Sequence, residues 1–225
     1  MAKSKHKPKF EKSINVVPIT EKQKEFFDAI KSNQMVVALG CAGTGKTYIP
    51  VALAAKALEK GEIEKIILTK PNVGAGGTLG YVPGTLEEKF QVWVAEPLAI
   101  LEELFGSNAL ECKLKNKSIE IIPFEVMRGR TFDDAFIILD EAQNVTETQM
   151  ELFTTRMGER TKIIVNGDIT QDDLRISNTG MVSLLELIDL YGMKIPIIEF
   201  TPEDTVRSGL CREFTINWAR WKDEN

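Results

Sequence analysis

The sequence predicts an α/β fold: a mostly parallel sheet flanked by helices on both faces. Three observations carry that prediction: continuous apolar runs of strand length, helical patterns between them, and a glycine-rich turn joining the first strand to the helix after it. Thr20 is a plausible N-cap with Gln23 as its capping-box partner, and Phe26, Phe27 and Ile30 form the apolar stripe of a first helix. Met35–Leu39 has the composition of a strand buried on both faces. After the glycines, an Ala-rich helix is expected over residues 45–59, closed by Gly61. Pro50 removes a backbone donor there, which costs little in a first turn and bends the helix one turn later. Lys65–Thr69, Ala135–Leu139 and residues 162–166 read as further buried strands, with 119–122 and 195–200 as apolar runs of less definite type. Helices are expected over 86–105, 146–157, 181–191 and 209–221.

At 225 residues the chain has room for one such domain, taken as 20–225. Residues 1–19 are expected to be a mobile basic arm, with Lys3, Lys5, Lys7, Lys9 and Lys12 against Glu11; it either solubilises the chain or touches phosphate backbones. Hydrophobic residues at 43% argue against disorder, and a net charge of −5 gives no overall basic character. No apolar run reaches the length of a membrane-spanning helix, and no secretory signal is recognisable. Cys41, Cys112 and Cys211 fit neither a disulfide framework nor a zinc pattern and read as reduced cytoplasmic thiols.

Residues 40–47, GCAGTGKT, match G-x-x-x-x-G-K-[ST], directly after a buried strand and directly before a helix. Glycines there permit a tight loop whose N–H groups converge on an anion at a helix N-terminus. The candidate nucleotide cradle is Cys41, Ala42, Gly43, Thr44, Gly45, Lys46, Thr47 and Tyr48. Lys46 reaches the terminal phosphates and Thr47 holds Mg²⁺. Asp140 and Glu141 close the strand Ala135–Leu139, at the sheet edge where open α/β sheets bind ligands. Asp140 is the second candidate metal ligand and Glu141 the candidate base for an attacking water, although two acids after a strand also cap helices. In Gly167-Asp168-Ile169-Thr170-Gln171, Gln171 is a candidate γ-phosphate sensor, with Asp168 anchoring the loop near Lys46 or the metal. The Gln23 amide suits bidentate contact with adenine or simply caps its helix. Arg207 either neutralises a departing phosphate, from its own subunit or a neighbour, or makes a surface salt bridge.

In this order the pieces resemble the PhoH family of P-loop ATPases, related to the first RecA-like domain of superfamily 1 helicases. The resemblance runs through GCAGTGKT, LTKP at 68–71, GYVPGTLEEK at 80–89, PFEVMRGRTF at 123–132, FIILDEAQN at 136–144, GDITQ at 167–171 and EFTPEDTVR at 199–207. It spans residues 20–221, at a length similar to short forms carried by bacteriophages. There are two departures: a glycine-rich stretch at 73–78 where an acidic residue is common, and Ser208-Gly209-Leu210 where His-Pro usually follows the arginine. The resemblance implies a RecA-like P-loop NTPase that binds and hydrolyses ATP with Mg²⁺, with Gln23 on adenine and Arg207 as an arginine finger. It further implies that Lys70, Asn72, Arg128 and Arg130 face RNA or single-stranded DNA. The alternative for Arg128 and Arg130 is pairing with Asp133, Asp134 or the acid surface of a neighbour, while Phe132 and Trp93 are candidate stacking platforms.

One RecA-like domain supplies one wall of an ATP site, so a ring of subunits, for example a hexamer, is expected, in the cytoplasm (the host's, if phage-encoded). The alternative is an ATP-gated nucleic-acid clamp or RNA chaperone with slow hydrolysis and no unwinding. A small-molecule kinase is disfavoured because the lid-like segment 86–105 has no arginine. A nuclease is unsupported for want of a second acidic cluster.

Overall fold

The structure, a computed structural model, describes residues 14–71, 94–169 and 179–224. Among these residues six parallel strands form one sheet: β1 (Met35–Leu39), β2 (Lys65–Thr69), β3 (Ile119–Ile121), β4 (Ala135–Leu139), β5 (Lys162–Gly167) and β6 (Ile197–Glu199), in the order β3-β2-β4-β5-β1-β6. The strand periodicity of two sorts their side chains onto two cores. Val36, Ala38, Ile66, Leu68, Phe136, Ile138 and Ile164 face one side. Val37, Leu39, Ile67, Ile137, Leu139, Ile163 and Val165 face the other. Burial on both faces explains why β1 and β4 are apolar throughout.

The first core is closed by α1 (Glu21–Ser32), α2 (Tyr48–Lys60), α3 (Ala95–Phe105) and α4 (Ser107–Lys115), through Phe26, Ile30, Val51, Ala54, Leu101 and Leu110. The second is closed by α5 (Glu147–Thr154) and α6 (Gly180–Leu190), through Met150, Phe153, Met181, Leu184 and Ile188. The helix α7 (Gly209–Glu224) follows β6 and a short 3₁₀ turn. No helix among the described residues is long and apolar enough to cross a membrane.

Several boundaries differ from expectation for identifiable reasons. α2 starts at Tyr48 because Gly45 and Lys46 still belong to the loop and Thr47 is the N-cap; Pro50 therefore falls in the first turn. α4 escaped notice because Leu110 is its one buried residue, too little for an apolar stripe. Of the segment 86–105, the described part is helical from Ala95, and residues 72–93 lie outside the described residues. The body also begins before Thr20, since Ile14 and Val16 are buried in the first core.

Candidate active site

β5 lies between β1 and β4, so three chain segments leave the sheet side by side at one carboxyl edge. β1 delivers the loop 40–47, β5 delivers Asp168, and β4 delivers Asp140 and Glu141. The loop and the acids meet: Thr47 Oγ1 donates to Asp140 Oδ1 at 3.5 Å. Between them opens a cleft of about 390 Å³ whose walls include Ala42, Gly43, Gly45, Lys46, Thr47 and Tyr48.

Two glycines allow two side chains to lie directly on the loop. Gly43 and Gly45 have φ of +82° and +92°, a region costly for residues with a Cβ. A Cβ on Gly43 would stand 2.7 Å from Arg207 Cδ, and one on Gly45 would stand 2.8 Å from Gln23 Nε2. Arg207 therefore covers the loop of its own chain. It is strapped there by Val206 N donating to Gly43 O at 2.9 Å and Thr205 Oγ1 donating to Ala42 O at 3.4 Å. Gln23 is buried; its Nε2 donates to Thr44 O at 2.9 Å and its Oε1 accepts from Ile19 N at 2.8 Å. Only half of the expected capping box forms, because Thr20 Oγ1 accepts from Gln23 N while the Gln23 side chain reaches past Thr20 to Ile19. One amide proton and one lone pair of Gln23 stay available.

Lys46 Nζ donates to Cys41 O at 2.5 Å, and Thr44 Oγ1, fully buried, donates to the same carbonyl at 3.2 Å. Burial pushes the Lys46 ammonium below its ordinary value, opposed by nearby anions with Asp168 first among them. At the start of α2, Ile49 N donates to Gly45 O and Val51 N to Thr47 O. Pro50 has no N–H for the rung between them, and Asn166 at the end of β5 supplies it, its Nδ2 donating to Lys46 O at 2.8 Å. The loop is thus tied to β5 by a contact that the proline makes necessary.

Burial, with Glu141 alongside, pushes the Asp140 carboxyl up to about 6. A buried carboxylate beside a second acid and a threonine hydroxyl suits a hard divalent cation of the Mg²⁺ kind, which prefers oxygen ligands. Among the described residues no group of three or more His, Cys, Asp or Glu forms a complete metal cage. Such a cation would take its remaining oxygens from phosphate and water.

Glu141 has φ 54° and ψ 42°, a left-handed conformation that costs a non-glycine residue about 1–3 kcal/mol and gathers at functional sites. Its two oxygens are held separately. Gln143 Nε2 donates to Oε2 at 2.6 Å, and Lys70 Nζ, at the end of β2, stands 3.7 Å from Oε1. Gln143 is buried, and its own Oε1 accepts from Asp168 N at 3.0 Å, which links Glu141 to the loop after β5.

Lys70 thus joins the site. Arg128 is exposed on the loop after β3. Arg130 is engaged elsewhere, donating to Glu120 Oε2 at 3.0 Å and stacking over Phe132 at 5.0 Å, while Asp134 pairs with Arg160 and Asp133 accepts from Glu159 N. Phe132 is 4% exposed, which corrects its expected role as a stacking platform: the second core takes its ring. Asn72, Trp93 and Gln171 lie outside the described residues. Sequence reasoning missed Gln143, Asn166, Glu96, Val17 and Ile19, the last three being cleft walls. The available signals were an amide two residues past Glu141 and a polar residue closing an apolar strand. For the three walls there was none.

A glycine-rich anion loop facing a metal-capable aspartate and a second acid, at the carboxyl edge of a parallel sheet, defines a P-loop nucleotide-binding domain. The strand order, with β5 between the loop strand and the acid strand, is of the RecA-like type. The family model described as PhoH-like protein matches residues 15–218, and the chain belongs to that family. It is 42% identical over 210 residues to a PhoH-like protein of Mycobacterium tuberculosis, covering 92% of this chain and 58% of that one. It is 44% identical over 195 residues to Protein PhoH of Escherichia coli (85% and 55% covered) and 44% over 201 residues to a PhoH-like protein of Bacillus subtilis (88% and 62%). The chain therefore spans 55% to 62% of the length of these relatives. Among solved structures it is similar to a Sulfolobus solfataricus SWI2/SNF2 ATPase core in complex with dsDNA, with a TM-score of 0.47 and 18% identity, covering 84% of this chain and 45% of that one. A Pif1 helicase from Candida albicans follows at a TM-score of 0.42 and 15% identity, with 83% and 40% covered.

Proposed function

We propose that this domain hydrolyses ATP with Mg²⁺ and does so as an oligomer acting on RNA or single-stranded DNA. The observation that carries the reading is the contact of Thr47 with Asp140, which brings the phosphate loop and the acids of β4 to one cleft. In this reading the loop N–H groups and Lys46 hold the β- and γ-phosphates, and Lys46 must leave the Cys41 carbonyl to do so. Thr47 and Asp140 would hold the metal, which when bound neutralises phosphate charge. Glu141 takes a proton from the attacking water as its oxygen bonds to the γ-phosphorus and ADP leaves. Arg207, lying over Gly43 of its own chain, would meet the charge developing on the transferred phosphoryl group. Val17 and Ile19 offer an apolar wall beside Gln23 for an adenine ring. In the same reading Gln171 would sense the γ-phosphate, and Lys70, Asn72, Arg128 and Arg130 would meet the nucleic-acid strand, Arg130 having first to leave Glu120. A second subunit would supply the wall that one RecA-like domain lacks, and the free thiols of Cys41, Cys112 and Cys211 suit the cytoplasm.

Glu141→Gln tests the assignment. It should retain ATP in calorimetry while turnover falls by about 10³-fold or more, the scale for losing a group that orients water or stabilises the transferring phosphate. Wild-type turnover in that variant would remove Glu141 from the mechanism. A slow-hydrolysing, ATP-gated nucleic-acid clamp is the second reading, favoured by the hold of Lys70 and Gln143 on Glu141. It predicts nucleic-acid affinity that changes with ATP analogues and turnover that nucleic acid leaves untouched.

A further inference from the structure

The two holds on Glu141 are unequal. Gln143 is engaged at both ends: its side chain is buried, its Nε2 donates to Glu141 at 2.6 Å, and its Oε1 accepts from Asp168 N at 3.0 Å. Moving it would leave a buried amide unpaired. Lys70 is the loose arm. Its ammonium stands 3.7 Å from the carboxylate, beyond hydrogen-bond length, and its side chain is 32% exposed. Lys70 follows β2 directly at the carboxyl edge of the sheet, where its charge also acts on Asp140.

A carboxylate held on both sides turns toward a water most readily by giving up the weaker hold, which here is the one on Lys70. We propose that Lys70 restrains Glu141 and that a polynucleotide phosphate relieves the restraint by taking Lys70 for itself, so that strand binding releases the water-activating group. The proposal rests on the hydrolysis and nucleic-acid readings above and deepens them. Lys70 is a positioning residue in this scheme, since it acts through Glu141. A chain of phosphodiesters suits the role because its closely spaced anions bind lysines with release of counterions, so the effect fades with salt. Because the coupling is an equilibrium one it is reciprocal: removing the Glu141 charge must free Lys70 for the strand.

The test compares wild type, Lys70→Met, Lys70→Arg and Glu141→Gln. ATP turnover is measured alone, with a uridine or thymidine oligonucleotide, and with inorganic phosphate; oligonucleotide affinity is measured by fluorescence anisotropy. A half-exposed ion pair bounds the effect at up to about five-fold. Wild type should be stimulated by oligonucleotide and not by inorganic phosphate. Lys70→Met should show a raised unstimulated kcat with KM for ATP unchanged and no further rise on adding oligonucleotide, and Lys70→Arg should behave as wild type. Glu141→Gln should bind oligonucleotide up to about five-fold more tightly, a shift read without turnover.

Lys70→Met turning over no faster than wild type, or Glu141→Gln binding no tighter, would overturn the proposal while leaving ATP hydrolysis standing. Stimulation by inorganic phosphate alone would overturn the polynucleotide as the releasing ligand. A wild type that fails to hydrolyse ATP would remove the underlying reading, and the proposal with it.

Discussion

Asn166 offers a test of how the phosphate loop is held. Its Nδ2 fills the rung left open by Pro50, donating to Lys46 O at 2.8 Å, and the residue is fully buried. Its Oδ1 has no hydrogen-bond partner among the described residues, so the amide serves through its donor end. Asn166→Ala should destabilise the domain by about 1–3 kcal/mol, the cost of leaving a buried carbonyl unsatisfied. For a chain of this size each kcal/mol lowers Tm by about 2–4 °C. Asn166→Asp should be worse than Asn166→Ala, because it sets an acceptor against an acceptor. Pro50→Ala restores a backbone N–H in the first turn of α2, aimed at the same carbonyl. In that background Asn166→Ala should cost about 1 kcal/mol less, a coupling within the range for residues sharing a partner. Urea unfolding of the four proteins of the cycle measures it. Additivity to within about 0.3–0.5 kcal/mol would refute the reasoning and leave Asn166 as a space-filling residue.

Arg207 lies on the loop of its own chain, so Arg207→Ala subunits mixed with Lys46→Ala subunits should show no recovery of turnover; recovery would move the arginine to a neighbour's site. Glu120 gives a pH dependence of stability. Burial pushes its carboxyl up, but hydrogen bonds and charge from Lys65 and Arg130 outweigh that and keep it below its ordinary value. The stabilisation is therefore complete above the unfolded carboxyl's pKa of about 4.3 and is lost as pH falls through the lower folded value. Urea midpoints between about pH 5 and 3 should fall less steeply for Glu120→Gln than for wild type. Parallel curves would remove this carboxylate from the acid limb.

What was legible in the sequence is what local chemistry determines. β1 and β4 appear at their true limits because strands buried on both faces are apolar from end to end and are flanked by polar or glycine residues, and β2 does so because Lys65 and Thr69 bracket its apolar centre. The loop 40–47 is legible because its glycines serve backbone geometry, and Asp140 and Glu141 because a charge closing a buried strand must reach an edge. α4 was not legible, since one buried leucine leaves no periodic signal. Phe132 was misread because its aromatic character suits a stacking platform and a core equally, and only packing decides between them.

The two amides that escaped, and the hold of Lys70 on Glu141 (Lys70 itself having been expected only to face a nucleic-acid strand), share a deeper cause. Gln143, Asn166 and Lys70 act on partners that other strands bring to them: Gln143 on Asp168, Asn166 on Lys46, Lys70 on Glu141. Spacing along the chain carries no trace of such pairs, because the order β2-β4-β5-β1 creates them. Each links a neighbouring pair of strands: Lys70 joins β2 to β4, Gln143 joins β4 to β5, and Asn166 joins β5 to the loop after β1. Lys70, Glu141, Gln143 and Asp168 thus form a run of direct contacts across the carboxyl edge, and Asp168 lies close enough to act on Lys46 through its charge. A ligand that withdraws Lys70 at one end and a phosphate that withdraws Lys46 at the other would pull on the same few side chains. The linkage between strand and nucleotide then needs no large rearrangement of the sheet, only a change in which anion each lysine faces.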